Sequence, residues 1–185
     1  MTALVRRRMT ADEFLAWAME QPDGTRYELV AGEIVAMSPE RLSHAETKLI
    51  VALRLREAIQ ARGLACQALG DGMAVRIDEA TVYEPDALVR CGPSLPGDTI
   101  ELADPVVVVE VVSPSSGRRD AGAKLEDYFR LETVRHYLIV KTENRTVIHH
   151  FRDETGGASH TRFLRQGPLT LDPPGITVDV DSLFP

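Results

Sequence analysis

The chain has no apolar run near the roughly 20 residues that span a bilayer. Its longest, Val106 to Val112, is interrupted by Glu110. There are only two cysteines, Cys66 and Cys91, too few for a disulfide framework and without the paired spacing of a zinc site. No apolar signal core follows the basic Arg6-Arg7-Arg8 segment. Positive charge is not in excess: the net charge of −7 counts against broad non-specific binding to nucleic acid and leaves room only for a local basic groove. A nucleotide-hydrolase phosphate loop and a dinucleotide fingerprint are both missing. Ser113 and Ser115 lack nucleophile-elbow context. Repeats, linkers and low-complexity tracts are also missing. These absences exclude membrane-spanning, disulfide-stapled and nucleotide-hydrolysing classes, and they lead to the expectation of a cytoplasmic protein with reduced cysteines.

What is present is ordinary globular material: 185 residues, 44% hydrophobic and 26% charged, enough for one domain over 1–185 with a substantial core. Thr10-Ala-Asp-Glu13 reads as a capping box with Met9 as its apolar staple, so a helix should run to about Met19 and stop at Pro22-Asp23-Gly24. Tyr27–Val30 and Ile34–Met37 flank Ala31-Gly32 as a hairpin. Ser43-His-Ala-Glu46 reads as a second capping box. The helix after it, to Arg62, carries Leu49, Ile50, Leu53, Leu55 and Ile59 at helical spacing, with Gly63 as its stop. Leu64–Leu69, Met73–Ile77 and Val82–Val89 read as strands, and Gly92–Leu102 as a loop. Val106–Val112 reads as a central strand buried on both faces, ended by Ser113-Pro-Ser-Ser-Gly117. A helix over Arg118–Leu131 and strands at Tyr137–Val140, Thr146–Phe151 and Thr161–Leu164 follow. The class is α/β, with a mixed central sheet flanked by helices.

Glu110 stands out because every neighbour in Val-Val-Val-Val-Glu-Val-Val favours burial, and a lone ionised carboxylate there is costly unless paired or bound to a cation. The bland alternative is a strand-end carboxylate that reaches solvent or an arginine. Asp86, in Tyr-Glu-Pro-Asp-Ala-Leu-Val, is far enough from Glu110 for a loop and a return to the neighbouring strand. Two carboxylates on adjacent strands can share one hard cation such as Mg²⁺, which takes oxygen ligands and keeps several waters. Otherwise Asp86 merely starts a strand after a proline turn. Asp120, Lys124 and Tyr128, spaced by four, share a helix face. Near two carboxylates, Lys124 would orient or deprotonate a water or neutralise developing charge. Taken alone it is a solvated lysine paired with Asp120. Glu28 and His44 are weaker candidates, the first facing the site from the hairpin, the second opening a helix toward a phosphate or a bound water. His149 and His150 are strand neighbours that point to opposite faces and do not chelate one ion together.

Arg26-Tyr-Glu-Leu-Val-Ala-Gly-Glu-Ile-Val-Ala-Met-Ser-Pro39, Ser43-His44, Glu84-Pro-Asp-Ala-Leu-Val89 and Val109-Glu-Val-Val-Ser-Pro-Ser115, with Lys124 and Tyr128, resemble the Uma-type restriction endonuclease family of the PD-(D/E)XK superfamily. The likeness runs from about Met9 to about Phe151. It implies a restriction-endonuclease-like fold, with Asp86 and Glu110 as metal ligands and the main-chain carbonyl of Val111 as a third. The superfamily lysine normally lies two residues after the glutamate, where this chain has Val112, and Lys124 on the following helix matches the place to which this family moves it. Lys141 is a second departure, at a position where similar sequences often have an acidic residue.

The resulting expectation is a Mg²⁺- or Mn²⁺-dependent DNA endonuclease with Asp86, Glu110, Lys124, Glu28 and His44 at its centre, acting as a homodimer away from membranes. The rival is a non-catalytic nucleic-acid-binding or regulatory domain on the same fold, for which the acidic net charge and Lys141 speak. A metal-free hydrolase using the two carboxylates as acid and base is a third class.

Overall fold

The structure is a computed structural model that describes residues 8–112, 118–153 and 159–185, with side chains of the third helix described from residue 122 onward. The expected Ser113–Gly117 break, with Ser113 and Ser115, and the pairing of Asp120 with Lys124 lie outside the described residues.

The first helix, α1 (Ala11–Met19), starts where the capping box predicts: Thr10 Oγ1 accepts from the Glu13 amide at 3.3 Å and Glu13 Oε2 accepts from the Thr10 amide at 3.0 Å. It lays Phe14 on the hairpin of β1 (Tyr27–Val30) and β2 (Glu33–Ala36), beside Leu29 and Val82. The hairpin turns through Ala31 and Gly32, both at positive φ (50° and 82°), which matches the twist of the flanking strands. Helix α2 (Leu42–Ala61) differs from expectation in two ways. Its N-cap is Arg41, with no side-chain cap, so Ser43 lies inside the first turn and the second capping box does not form. Its buried face is Thr47, Lys48, Val51, Leu55 and Ile59, whereas Leu49 and Leu53 are 62% and 46% exposed. A lysine occupies a place in the buried stripe that the apolar count gave to leucines.

Two larger sheets follow. The first has the order β2-β1-β5-β4-β7, with β4 (Ala74–Asp78), β5 (Thr81–Tyr83) and β7 (Glu101–Leu102). The second has the order β11-β10-β9-β8-β6-β3 and contains β3 (Cys66–Gly70), β6 (Ala87–Cys91), β8 (Pro105–Val112), β9 (His136–Lys141), β10 (Thr146–Arg152) and β11 (Ser159–Leu164). It is mixed, because β8 pairs parallel with β9 across α3 (Arg118–Tyr128) while its other pairs are antiparallel. The strand expected at Val82–Val89 is in fact β5 and β6, which belong to different sheets. Pro85, which has no amide hydrogen to donate, lies in the crossing.

Val107, Val108 and Val109 are fully buried, consistent with a central strand covered on both faces. One side packs on α2 and on the hairpin of β12 (Pro168–Leu171) and β13 (Ile176–Asp179). The other packs Leu88, Val108, Tyr128, Tyr137 and Ile139 together. The expectation of reduced cysteines is corrected: Cys66 and Cys91 face each other in the β3–β6 register, with Cα atoms 3.9 Å apart, and are disulfide-bonded. Register, which no spacing rule reads, puts them together. His149 and His150 do point to opposite faces, but His149 has a partner in His136 across the β9–β10 pair, at 2.9 Å between Nε2 and Nδ1.

Candidate active site at the junction of the two sheets

The crossing after β5 delivers Asp86 to the edge of β6 beside Glu110. The Asp86 amide donates to the Val109 carbonyl at 3.0 Å, and the Val111 amide donates back to Asp86 Oδ2 at 2.6 Å. This reciprocal clasp holds the carboxylate against β8, and Asp86 is 5% exposed. Its other oxygen, Oδ1, meets the Lys48 ammonium at 2.9 Å, and His44 Nε2 stands 3.6 Å from Oδ2, longer than a hydrogen bond. Burial alone would push the Asp86 carboxyl up; His44, Lys48 and the Val111 amide outweigh it and hold the group below its ordinary value. The same Asp86 carboxylate raises the His44 imidazole.

Glu110 projects from β8 into a wall of tyrosines. Its Oε1 accepts from Tyr128 Oη at 3.0 Å and from Lys124 Nζ at 3.1 Å. Burial pushes its carboxyl up to about 7, with Asp86 and Glu28 adding to the rise and Lys124 opposing it. Lys124, from α3, reaches both Glu110 and Glu28 Oε1, the latter at 2.8 Å, and lies 4.9 Å from the centre of the Tyr83 ring. Burial works against its charge, but Glu110 and Glu28 outweigh that, so its pKa is raised and it is a cation at neutral pH rather than a base. Glu28, on β1, is 8% exposed and also accepts from the Glu84 amide at 3.0 Å, which ties the hairpin to the crossing.

Lys124 thus joins Glu28 to Glu110, His44 stands beside Asp86, and the two groups meet where Asp86 accepts from the amide of Val111, the residue after Glu110. Lys48 was missed. It lies four residues after His44 and seven before Leu55, on the face that carries the helix's buried residues, and that spacing was the available signal. Tyr128 was visible on the Lys124 face and in the motif that carries the family resemblance, but without a role. The ion partners behind Lys48, namely Glu40, Asp71, Arg26 and Glu84, come from separate loops and left no periodic signal.

Among the described residues no three His, Cys, Asp or Glu side chains are grouped to hold a metal ion. The donor set is two carboxylates on neighbouring strands, Asp86 and Glu110. That matches the preference of Mg²⁺ and Mn²⁺ for hard oxygen donors, since Mg²⁺ commonly takes one or two protein carboxylates and keeps several waters.

The chain resembles an uncharacterized protein of Synechocystis sp., 24% identical over 180 residues that cover 96% of this chain and 92% of the relative. In fold it matches the crystal structure of "a putative nuclease belonging to DUF820" from Anabaena variabilis, with a TM-score of 0.74 over 95% of this chain and 97% of that one, at 13% identity. The mixed α/β architecture is thus shared with a nuclease-like fold. A family model described as "Putative restriction endonuclease" matches residues 11–181, nearly the whole chain, and on that match the chain belongs to the Uma2 family.

Proposed function

We propose that this protein is a Mg²⁺- or Mn²⁺-dependent endonuclease that hydrolyses phosphodiester bonds in DNA. The observation that supports it is the meeting of Asp86 and Glu110, on adjacent strands, with the ammonium of Lys124 bonded to Glu110. Asp86, Glu110 and the main-chain carbonyl of Val111 would hold the ion, which when bound supplies Lewis-acid polarisation of the scissile phosphate and a more acidic water. The chain's own residues do the rest. Lys124, a cation fixed by Glu28 and Glu110, neutralises charge that builds on the phosphate as the water oxygen bonds to phosphorus and the ester oxygen leaves. Glu28 sets the position of that lysine. His44, beside Asp86 at the start of α2, would meet a phosphate of the substrate.

The test is cleavage of DNA by purified protein with Mn²⁺. Wild type should cut and lose activity in chelator, whereas Lys124→Ala should fold and bind Mn²⁺ but cut at least about 100-fold more slowly, the scale seen when one stabilising donor is removed from a preorganised site. A Lys124→Ala protein that cuts as well as wild type sinks the role. Cleavage that survives a chelator points instead to acid–base hydrolysis by the carboxylates alone.

One observation favours a non-catalytic, nucleic-acid-binding or regulatory reading: both carboxylates already have an ammonium partner within the chain, Lys48 on Asp86 and Lys124 on Glu110. Wild type that binds Mn²⁺ no better than Glu110→Ala supports that reading. A nuclease that cuts both strands works best as a symmetric dimer, and sedimentation velocity at micromolar concentration checks this. The same reading carries a cytoplasmic location, where a Cys66–Cys91 bond is unusual, and cell fractionation combined with thiol labelling checks both.

A further inference from the structure

Lys48 is the least expected charge in the molecule. The residue is 5% exposed and its ammonium sits among three carboxylates, with Glu40 Oε1 at 2.5 Å, Asp71 Oδ2 at 2.7 Å and Asp86 Oδ1 at 2.9 Å. An ammonium has three hydrogens, so this one is saturated. The cage is built by separate segments: Glu40 precedes α2, Asp71 follows β3, and Asp86 ends the crossing. It is braced from outside by Arg26, which bonds Asp71 at 2.6 Å and Glu84 at 2.7 Å. A buried lysine is costly unless its charge is matched, and one of the three carboxylates that match it here is the proposed metal ligand Asp86.

We infer that Lys48 is the built-in second cation of this site, a positioning residue that holds Asp86 and adds a fixed positive charge beside a single divalent ion. The inference rests on the metal reading above. Asp86 Oδ2 is clasped by the Val111 amide and Oδ1 by Lys48. A carboxylate has roughly four lone-pair positions, so Asp86 can keep both partners and still accept one metal. The ammonium competes electrostatically with that metal while it offsets charge on a phosphate bound nearby. In Lys48→Met the Val111 amide still clasps Asp86 Oδ2, so loss of the competing charge should dominate; a lysine that only supported the fold would instead weaken metal binding when lost.

The experiment is Mn²⁺ titration, followed by electron paramagnetic resonance of the free ion, together with DNA cleavage at saturating Mn²⁺. For wild type, Lys48→Met and Lys48→Arg, folding is checked by circular dichroism. Lys48→Met should bind Mn²⁺ about tenfold more tightly, yet cut about tenfold or more slowly when fully loaded, and Lys48→Arg should restore both toward wild type. A folded Lys48→Met with equal or weaker Mn²⁺ binding overturns the inference, as does undiminished cleavage at saturation. Should Lys48→Met fail to fold, Asp71→Asn, which changes a half-exposed carboxylate, takes its place. By releasing one of the ammonium's partners it should strengthen the hold of Lys48 on Asp86 and weaken Mn²⁺ binding severalfold, and unchanged affinity overturns the inference. Wild type that binds no Mn²⁺ at all overturns the metal reading itself, a different result from normal wild-type binding that is indifferent to Lys48.

Discussion

Glu110 sets the energetics of the site at the scale of single residues. Its carboxyl is pushed up by burial and by the neighbouring Asp86 and Glu28, so its charge is unfavourable without a further cation. Glu110→Gln should therefore abolish metal-dependent cleavage while leaving the metal-free protein equally stable or up to about 1 kcal/mol more stable, a trade expected at functional sites. Lys124 keeps Glu28 as a partner in that variant, so no buried cation is stranded. Thermal unfolding in chelator decides it: a loss of more than about 1–2 kcal/mol would mean that Glu110 serves the fold. Glu110 and Asp86 were legible in the sequence because an acid inside a β-branched run conflicts with its surroundings, and such a conflict can be read without a structure. Lys48, and the bond from Tyr128 to Glu110, were not, because a lysine or tyrosine on a helix has no evident task until the opposing surface is known.

Periodicity reads secondary elements well where one face is wet and poorly where sheets meet. The α1 capping box and the hairpin turn at Ala31-Gly32 follow from local chemistry and appear as expected. The buried face of α2 does not, because leucines at helical spacing fit two faces and the packed one was chosen by β3, β6, β8 and β13. The division of Val82–Val89 into strands of two sheets is set by tertiary pairing that a run of apolar residues cannot reveal. The β9–β10 pair carries a testable consequence. Burial lowers His136 to about 4 and His149 to about 3, from an ordinary 6.5 for each. Both are neutral in the folded state and take up protons more readily when unfolded. Their contribution is intact above about pH 6.5 and is lost as the pH falls toward 4 and below. Urea midpoints measured from pH 7 to pH 4 should fall, and replacing both histidines with leucine should flatten that fall. A midpoint equally steep in the double variant would place the acid sensitivity elsewhere.

On the scale of the whole molecule, the expectation of one domain over 1–185 predicts a single calorimetric transition, with equal van't Hoff and calorimetric enthalpies. The Cys66–Cys91 bond closes a loop with a sequence separation of 25, which by chain entropy contributes about 3–4 kcal/mol. A reductant should lower the melting temperature, and no free thiol should titrate in the unreduced, unfolded chain. The architecture also bears on the site from a distance. Glu28 comes from the five-stranded sheet and Glu110 from the six-stranded one, and Asp86 lies on the short stretch that passes between them. Phe14→Ala opens a void under the hairpin at a cost of about 3–5 kcal/mol. It should weaken Mn²⁺ binding although Phe14 touches none of the proposed ligands, and unchanged binding would show that the hairpin is dispensable to the site. The bridge from Glu28 through Lys124 to Glu110 makes the site a rivet between the two sheets: whatever fastens Glu110 also steadies its link to the five-stranded half of the protein. Saturating Mn²⁺ at about 100 times its dissociation constant should then stabilise the folded chain by about 2.7 kcal/mol, and both sheets should gain protection from hydrogen exchange together.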